Sequence, residues 1–175
     1  MDYSDNIEVS GPCTSEIYNY VHKCAKFLGI SSMSGHLEVE FVEDLGRFAG
    51  LVDGDEDQVD MSIANNFNGD RVDCQQMKIN IAHEMIHAVQ ILTGRLVHTG
   101  LFLDDGVISY KWIFDGEEYQ NLKYNDQPWE DEAYEYEKEI YEAVESGRKT
   151  CAEIQSCLYP HRSQERDQKT RISRR

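Results

Sequence analysis

The sequence predicts a single α+β domain, and three observations predict it. Short runs early in the chain alternate apolar and polar residues, "HLEVEFV" at 36–42 and "QVDMSIAN" at 58–65, which is the pattern of half-buried strands. The stretches at 74–93 and 128–146 carry helical spacing instead. The early runs are joined by connections too short for crossover helices, so a small antiparallel sheet is expected. With 175 residues, the chain is long enough for one domain with a sizeable core.

The elements follow in order. "TSEIYNYVHKCAKFLGI" (14–30) begins at a cap, Thr14 or Ser15. It spaces Ile17, Tyr20, Val21, Cys24, Phe27 and Leu28 as one helical face and stops at Gly29. The run 36–42 is the first expected strand. "RFAGLVD" (47–53) is the second and, after the turn "GDED", 58–65 is the third. A long helix is expected from Cys74 to Thr93, closed by Gly94. "VISYKWIFDGEEYQNL" (107–122) reads as a hairpin around Asp115-Gly116. A second long helix runs from Pro128 to Ser146, with proline in its first turn and acidic residues crowding its N-terminal end. "KTCAEIQSCLY" (149–159) adds at most a helical turn. The domain is expected to span 1–159, followed by a basic, solvated tail at 160–175.

Composition narrows the function. Hydrophobic residues make up 40 % and mean hydropathy is −0.61, as in a soluble globular protein rather than a disordered or membrane one. No apolar run reaches the length needed to cross a bilayer. The N-terminus, "MDYSDNIEVSGPC", has neither the basic nor the apolar region of a secretory signal, so the expected location is the cytoplasm. Net charge is −16, with residues 160–175 contributing +4 and the other 159 residues −20. An acidic body repels a phosphate backbone, which argues against nucleic acid as a partner of the main body. The five cysteines (13, 24, 74, 151, 157) are odd in number and form no C-x-x-C pair, so neither a disulfide framework nor a cysteine zinc knuckle is expected.

The chemistry lies in "AHEMIHAVQ" (82–90), which holds the pattern H-E-x-x-H. His83 and His87 are four residues apart, so on a helix both rings stand on one face and can reach one metal ion. Glu84 lies about 100° round the helix from His83, off the ligand face but close enough to reach a water on the metal. There it can act as general base while the water attacks a carbonyl. A buried helix with two histidines is often just part of a core. Here, however, the flanking Ile79, Ile81, Ala82, Met85, Ile86, Ala88, Val89, Ile91 and Leu92 would bury those polar groups at a cost on the order of several kcal/mol without partners.

A third protein ligand is needed. Residue 93 is Thr, so the metzincin spacing H-E-x-x-H-x-x-G-x-x-H is absent. His98 is one candidate, and a carboxylate from "PWEDEAYEYEKE" (128–139) is the other. On that second helix Ala133, Tyr136, Ile140, Ala143 and Val144 form the core stripe. Glu132 lies at its margin with Glu139 beneath it, whereas Glu135, Glu137 and Glu142 read as solvated. Glu132 is the expected inward carboxylate.

The order of "HEMIHAVQ", "TGRL", "YKWIFDGEEYQN" and "PWEDEAYEYEKE" resembles that of small phage-type zinc metallopeptidases of the gluzincin group, the single-domain minigluzincins. The resemblance covers roughly residues 75–145. It implies a zincin-like fold, a Zn2+ cofactor, hydrolysis of peptide bonds in a peptide or protein substrate, and host cytoplasm if the protein is viral. Residue by residue it implies His83, His87 and Glu132 as metal ligands and Glu84 as catalytic base. It further implies that "QVDMSIAN" is the edge strand lining the substrate cleft. The chain departs from the group at Tyr136, where many gluzincins have an aspartate that holds a histidine ligand; Glu139 or the Tyr136 hydroxyl is the expected replacement. Tyr119, Tyr124, Tyr134, Tyr136 and His161 all remain candidates to stabilise the oxyanion. Two alternatives stand beside this reading. One is a SprT-like metalloprotease using His98 as third ligand, and the other is a non-catalytic binding module on the same fold. His22, His36 and His161 have no partner pattern and are expected at the surface. Oligomeric state is left open.

Overall fold

Side chains at the chain's turning points set the element boundaries. Thr14 accepts a hydrogen bond from the Ile17 amide and starts helix α1 (Ser15–Leu28), and Asp73 does the same for Gln76 at the start of α2 (Cys74–Leu92). α1 ends at Gly29, whose φ of 84° supplies the left-handed residue that closes a helix. The computed structural model describes residues 4–104, 107–148, 154, 158 and 159. The expected tail at 160–175, Cys151, Cys157 and His161 lie outside them.

Five strands precede α2: β1 (Ile7–Ser10), β2 (His36–Asp44), β3 (Gly50–Gly54), β4 (Gln58–Phe67) and β5 (Asp70–Arg71). They form one sheet in the order β1-β2-β4-β3, with β5 on the end of β4. The architecture is mixed α+β with small sheets, as expected, but the sheet is not purely antiparallel. β2 and β4 are parallel, β1 and β2 are parallel, and β3 and the two-residue β5 run antiparallel against β4. The expectation assumed that strands adjacent in sequence lie side by side. Instead the chain leaves β2, skips one strand position, lays down β3 and returns through the Asp55–Asp57 turn to fill the gap with β4. Skipping one position means crossing about 10 Å. The five residues between β2 and β3 can reach about 17 Å, so no helix is needed. One consequence corrects the cleft assignment: "QVDMSIAN" is β4, an interior strand, and the edge strand beside α2 is β3.

Alternation in β2 and β4 turns Leu37, Val39, Phe41, Val59, Met61 and Ile63 to one face, all at most 1 % exposed. α1 and α2 pack with them in one core. Every residue of α2 from Ile81 to Ile91 is buried, so this helix is enclosed by sheet, α1 and α3 (Pro128–Glu145). Between α2 and α3 lie β6 (Leu96–Asp104), β7 (Val107–Phe114) and β8 (Glu117–Gln120), a second antiparallel sheet. The hairpin at Asp115-Gly116 joins β7 to β8, with φ of 50° and 85° at those two residues, as a tight two-residue turn requires. His22 is buried in α1 against the Tyr18 ring, 4.8 Å between centroids, and not at the surface as expected: it sits one turn from Tyr18 on the packed side of the helix. Among the described cysteines Cys13, Cys24 and Cys74 are free thiols. Among the described residues no helix is long and apolar enough to cross a membrane.

Candidate metal centre

His83 and His87 stand one turn apart on α2, their rings edge to face at 4.9 Å and their Nε2 atoms 3.2 Å apart. α3 brings Glu130 across both. Its Oε2 lies 3.3 Å from His83 Nε2 and its Oε1 lies 3.3 Å from His87 Nε2. One ligating atom from each of the three lies within 4.8 Å of the others, and all three residues are buried.

Glu132, the expected third ligand, is elsewhere. Its two oxygens take Arg95 Nη1 and Nη2 at 3.1 and 3.0 Å, and Oε2 also accepts from Gln90 Nε2 at 2.6 Å. Both Glu130 and Glu132 flank the core stripe of α3, roughly 80° to either side of it on a helical wheel. The way α3 packs on α2 puts the Glu130 flank over the histidines and turns the Glu132 flank toward β6. Glu137, read from sequence as solvated, shares the Glu130 flank two turns on, and its Oε2 accepts from His83 Nδ1 at 3.0 Å. It fills the role expected of Glu139, which is exposed. His98 lies on β6, exposed and stacked on Trp112 at 4.5 Å, outside the cluster.

The hydrogen bonds give each ring an acceptor at Nδ1. Glu137 only accepts, so His83 carries its proton on Nδ1. Gln90 donates through Nε2 to the Trp129 carbonyl (3.1 Å) and to Glu132, which fixes its amide so that Oε1 faces His87 Nδ1 at 2.8 Å. His87 is therefore also an Nδ1–H tautomer. The two Nε2 atoms then face each other and the Glu130 carboxylate. Such an arrangement is repulsive unless something positive sits in it, either a shared proton or a cation.

The titration behaviour reflects the same crowding. Burial opposes charge on His83, but hydrogen bonds to Glu130 and Glu137 and the charges of Glu84 and Glu130 outweigh it and push its pKa up to about 9. Burial likewise opposes charge on His87, and Glu130 and Glu84 overcome it. Burial would raise Glu130, yet His83, His87 and the Tyr124 hydroxyl hold it well below the usual carboxylate range. Glu84 goes the other way: burial raises it against the pull of His87 and His83. The four groups thus hold an acid cluster together with a base-strength carboxylate beside it. Two imidazole nitrogens and a carboxylate, buried and pre-oriented, can hold a metal ion.

An open cleft of about 150 Å³ leads to the cluster. Glu84 lies in it beside Gly50 of β3, and Leu51, Trp112, Tyr124 and Trp129 line its walls. Tyr124, from the short turn before α3, donates to Glu130 Oε2 at 2.5 Å, and its oxygen is 3.4 Å from that of Tyr134. The Tyr134 ring packs edge-on against His83 at 4.7 Å. Of the other tyrosines named from sequence, Tyr119 bonds to Glu117, and Tyr136 is half-buried against the core.

Behind the cluster a buried polar chain continues from His87 through Gln90 and Glu132 to Arg95. Arg95 makes a two-pronged ion pair with Asp115 (2.7 and 2.7 Å) and lies over the Phe114 ring at 5.2 Å. Sequence reasoning missed Gln90, Arg95 and Glu137. A signal existed for Gln90, since a glutamine three residues after His87 inside an otherwise apolar buried helix must have polar partners.

No protein-family model, curated protein or solved structure matches the chain.

Proposed function

We propose that this chain is a zinc-dependent peptidase of zincin-like fold, with His83, His87 and Glu130 as the metal ligands and Glu84 as general base. One observation carries this reading: two Nδ1–H imidazoles and a carboxylate converge at the end of a cleft that also holds a buried carboxylate from the residue between the histidines. Three protein ligands of type N, N and O with an approach left open are the donor set of a catalytic rather than a structural zinc site. When bound, zinc would supply a water acidified toward neutral pH and would polarise the scissile carbonyl.

The protein's own residues supply the remaining chemistry. Glu137 and Gln90 hold the ring tautomers that present Nε2. Glu84, with its raised pKa, takes a proton from the attacking water and passes it to the leaving amine. β3 presents an open edge along the cleft, so an extended peptide can add to it as a further strand. The Tyr124 hydroxyl is the donor nearest the ligand cluster on the cleft side and can meet negative charge developing on the carbonyl oxygen.

The test is Glu84→Gln assayed against an unbiased peptide library with zinc content measured in parallel. One zinc per chain is expected in both proteins, with cleavage lost in the variant. Cleavage retained by zinc-loaded Glu84→Gln would remove the assigned role of Glu84.

A further inference from the structure

Gly50 opens β3 and pairs with Ile63 of β4. A glycine weakens a strand, and where it occurs in one it often marks a close approach of another group. Eight described glycines have positive φ, and Gly50 is not among them, so backbone freedom does not explain its presence. The space around it does. A Cβ at this position would lie 2.5 Å from Glu84 Cγ, 2.5 Å from Oε1 and 2.6 Å from Cδ, distances that real side chains do not tolerate. Glu84 is buried at 8 % exposure, on a helix whose neighbouring residues are all buried, so the space left to its carboxylate is the cleft itself, away from the position it now holds.

We infer that Gly50 is a positioning residue for Glu84: by having no side chain it lets the edge strand lie against the carboxylate and holds that carboxylate in the cleft. Any larger residue at 50 forces Glu84 off its position or lifts β3 away from α2. In either case the base and the strand lose their mutual register, while the three atoms nearest the added Cβ all belong to Glu84 and none to His83, His87 or Glu130. The catalytic consequence rests on the peptidase reading, but the steric coupling does not.

The experiment is a double-mutant cycle of Gly50→Ala and Glu84→Ala, read by thermal midpoint and zinc content, with kcat and KM for the two proteins that keep Glu84. Gly50→Ala is expected to bind one zinc, to lower the midpoint, and to reduce kcat on the order of 100-fold or more with a smaller change in KM, a loss within the range of a displaced general base. In the Glu84→Ala background the same substitution should leave the midpoint unchanged or raise it, because the clashing atoms are gone. A midpoint penalty that persists without the Glu84 side chain overturns the inference, and so does a zinc-loaded Gly50→Ala protein with wild-type kcat. If the wild-type protein cleaves nothing but the thermal coupling appears, the positioning of Glu84 by Gly50 stands and the peptidase reading falls.

Discussion

Glu130 and Glu132 are two residues apart on one helix and occupy opposite ends of the same buried network, so neutralising each makes a sharp test. Glu130 places one oxygen 3.3 Å from each Nε2. Glu132 touches neither ring; it acts on His87 only through Gln90, at 2.6 Å and then 2.8 Å. A group that orients a ligand through one intermediate is worth roughly 10–100-fold in metal affinity, or about 1.4–2.8 kcal/mol. Glu132→Gln should weaken zinc within that range. Glu130→Gln removes the only anionic ligand, so its loss should exceed 100-fold. Both changes should also cost fold stability in the metal-free protein. Glu132→Gln takes one of two carboxylates from buried Arg95, at a cost below the roughly 3–5 kcal/mol of a fully broken buried pair because Asp115 remains. Glu130→Gln takes the charged partner from both rings and the carboxylate acceptor from Tyr124, contacts that hold the His83 pKa up and the Glu130 pKa down, so the metal-free protein should lose stability near neutral pH as well. The assay is competition for zinc against a chromophoric chelator at pH 7, with thermal melting of the metal-free proteins. Weaker zinc binding in Glu132→Gln than in Glu130→Gln would refute the ligand assignment and restore the one expected from sequence.

Three further outcomes are expected. Tyr124→Phe should lower kcat about 100- to 1000-fold, as loss of an oxyanion donor does, while zinc affinity changes less than in Glu130→Gln; steady-state kinetics at saturating zinc checks this. The metal-free protein should lose stability as pH rises. His83 has a folded pKa of about 9 against about 6.5 unfolded, so its contribution is complete below pH 6.5 and is lost as pH passes through 9. Melting in a chelator across that window should show the decline, zinc-loaded protein should not, and zinc affinity should climb over the same range. Arg95→Met should destabilise the fold, by less than the roughly 3–5 kcal/mol of a fully broken buried pair because Asp115 is 40 % exposed and Glu132 keeps its bond from Gln90; denaturant unfolding measures it.

Much of the fold was legible because its boundaries are written locally. Thr14, Gly29, Pro128 and the Asp115-Gly116 pair each act on the backbone within a turn of themselves, and each sits where sequence reading put it. The strand order was not legible, because pairing β2 with β4 rather than β3 depends on contacts between residues about twenty apart, such as Leu37 with Val59. β1 was missed for a related reason. Its four residues are too few to show a period, and only docking beside β2 makes them a strand. The site was half legible. H-E-x-x-H located His83, Glu84 and His87, because ligand spacing and helix geometry are the same fact. The third member of the cluster depended on which flank of α3 meets α2, and a helical wheel places Glu130 and Glu132 almost symmetrically about the apolar stripe. The available signal was Glu137. Glu130 and Glu137 share a flank two turns apart, so that flank alone can offer one ring a ligand neighbour and the other nitrogen of the same ring an acceptor.

The distribution of buried polar groups argues that this arrangement serves something other than stability. Of the buried polar or charged residues, His83, Glu84, His87, Gln90, Arg95 and Glu130 all belong to the cluster or to the chain of hydrogen bonds behind it; Lys78 and His22 lie apart. Burial of such groups is costly, and well-packed apolar residues in their place would leave a domain at least as stable. The network leaves no slack at the rings: Glu137 uses one Nδ1–H, Gln90 uses the other, Glu132 and the Trp129 carbonyl fix Gln90, and Arg95 fixes Glu132 to the β7–β8 turn. Every bond in that chain has the effect of directing two Nε2 atoms toward one carboxylate. A fold optimised only to stay folded would turn them apart. A fold that is to offer them to a cation has to spend other elements holding them together, and α3, the turn after β7 and Gln90 of α2 supply the groups that would do so.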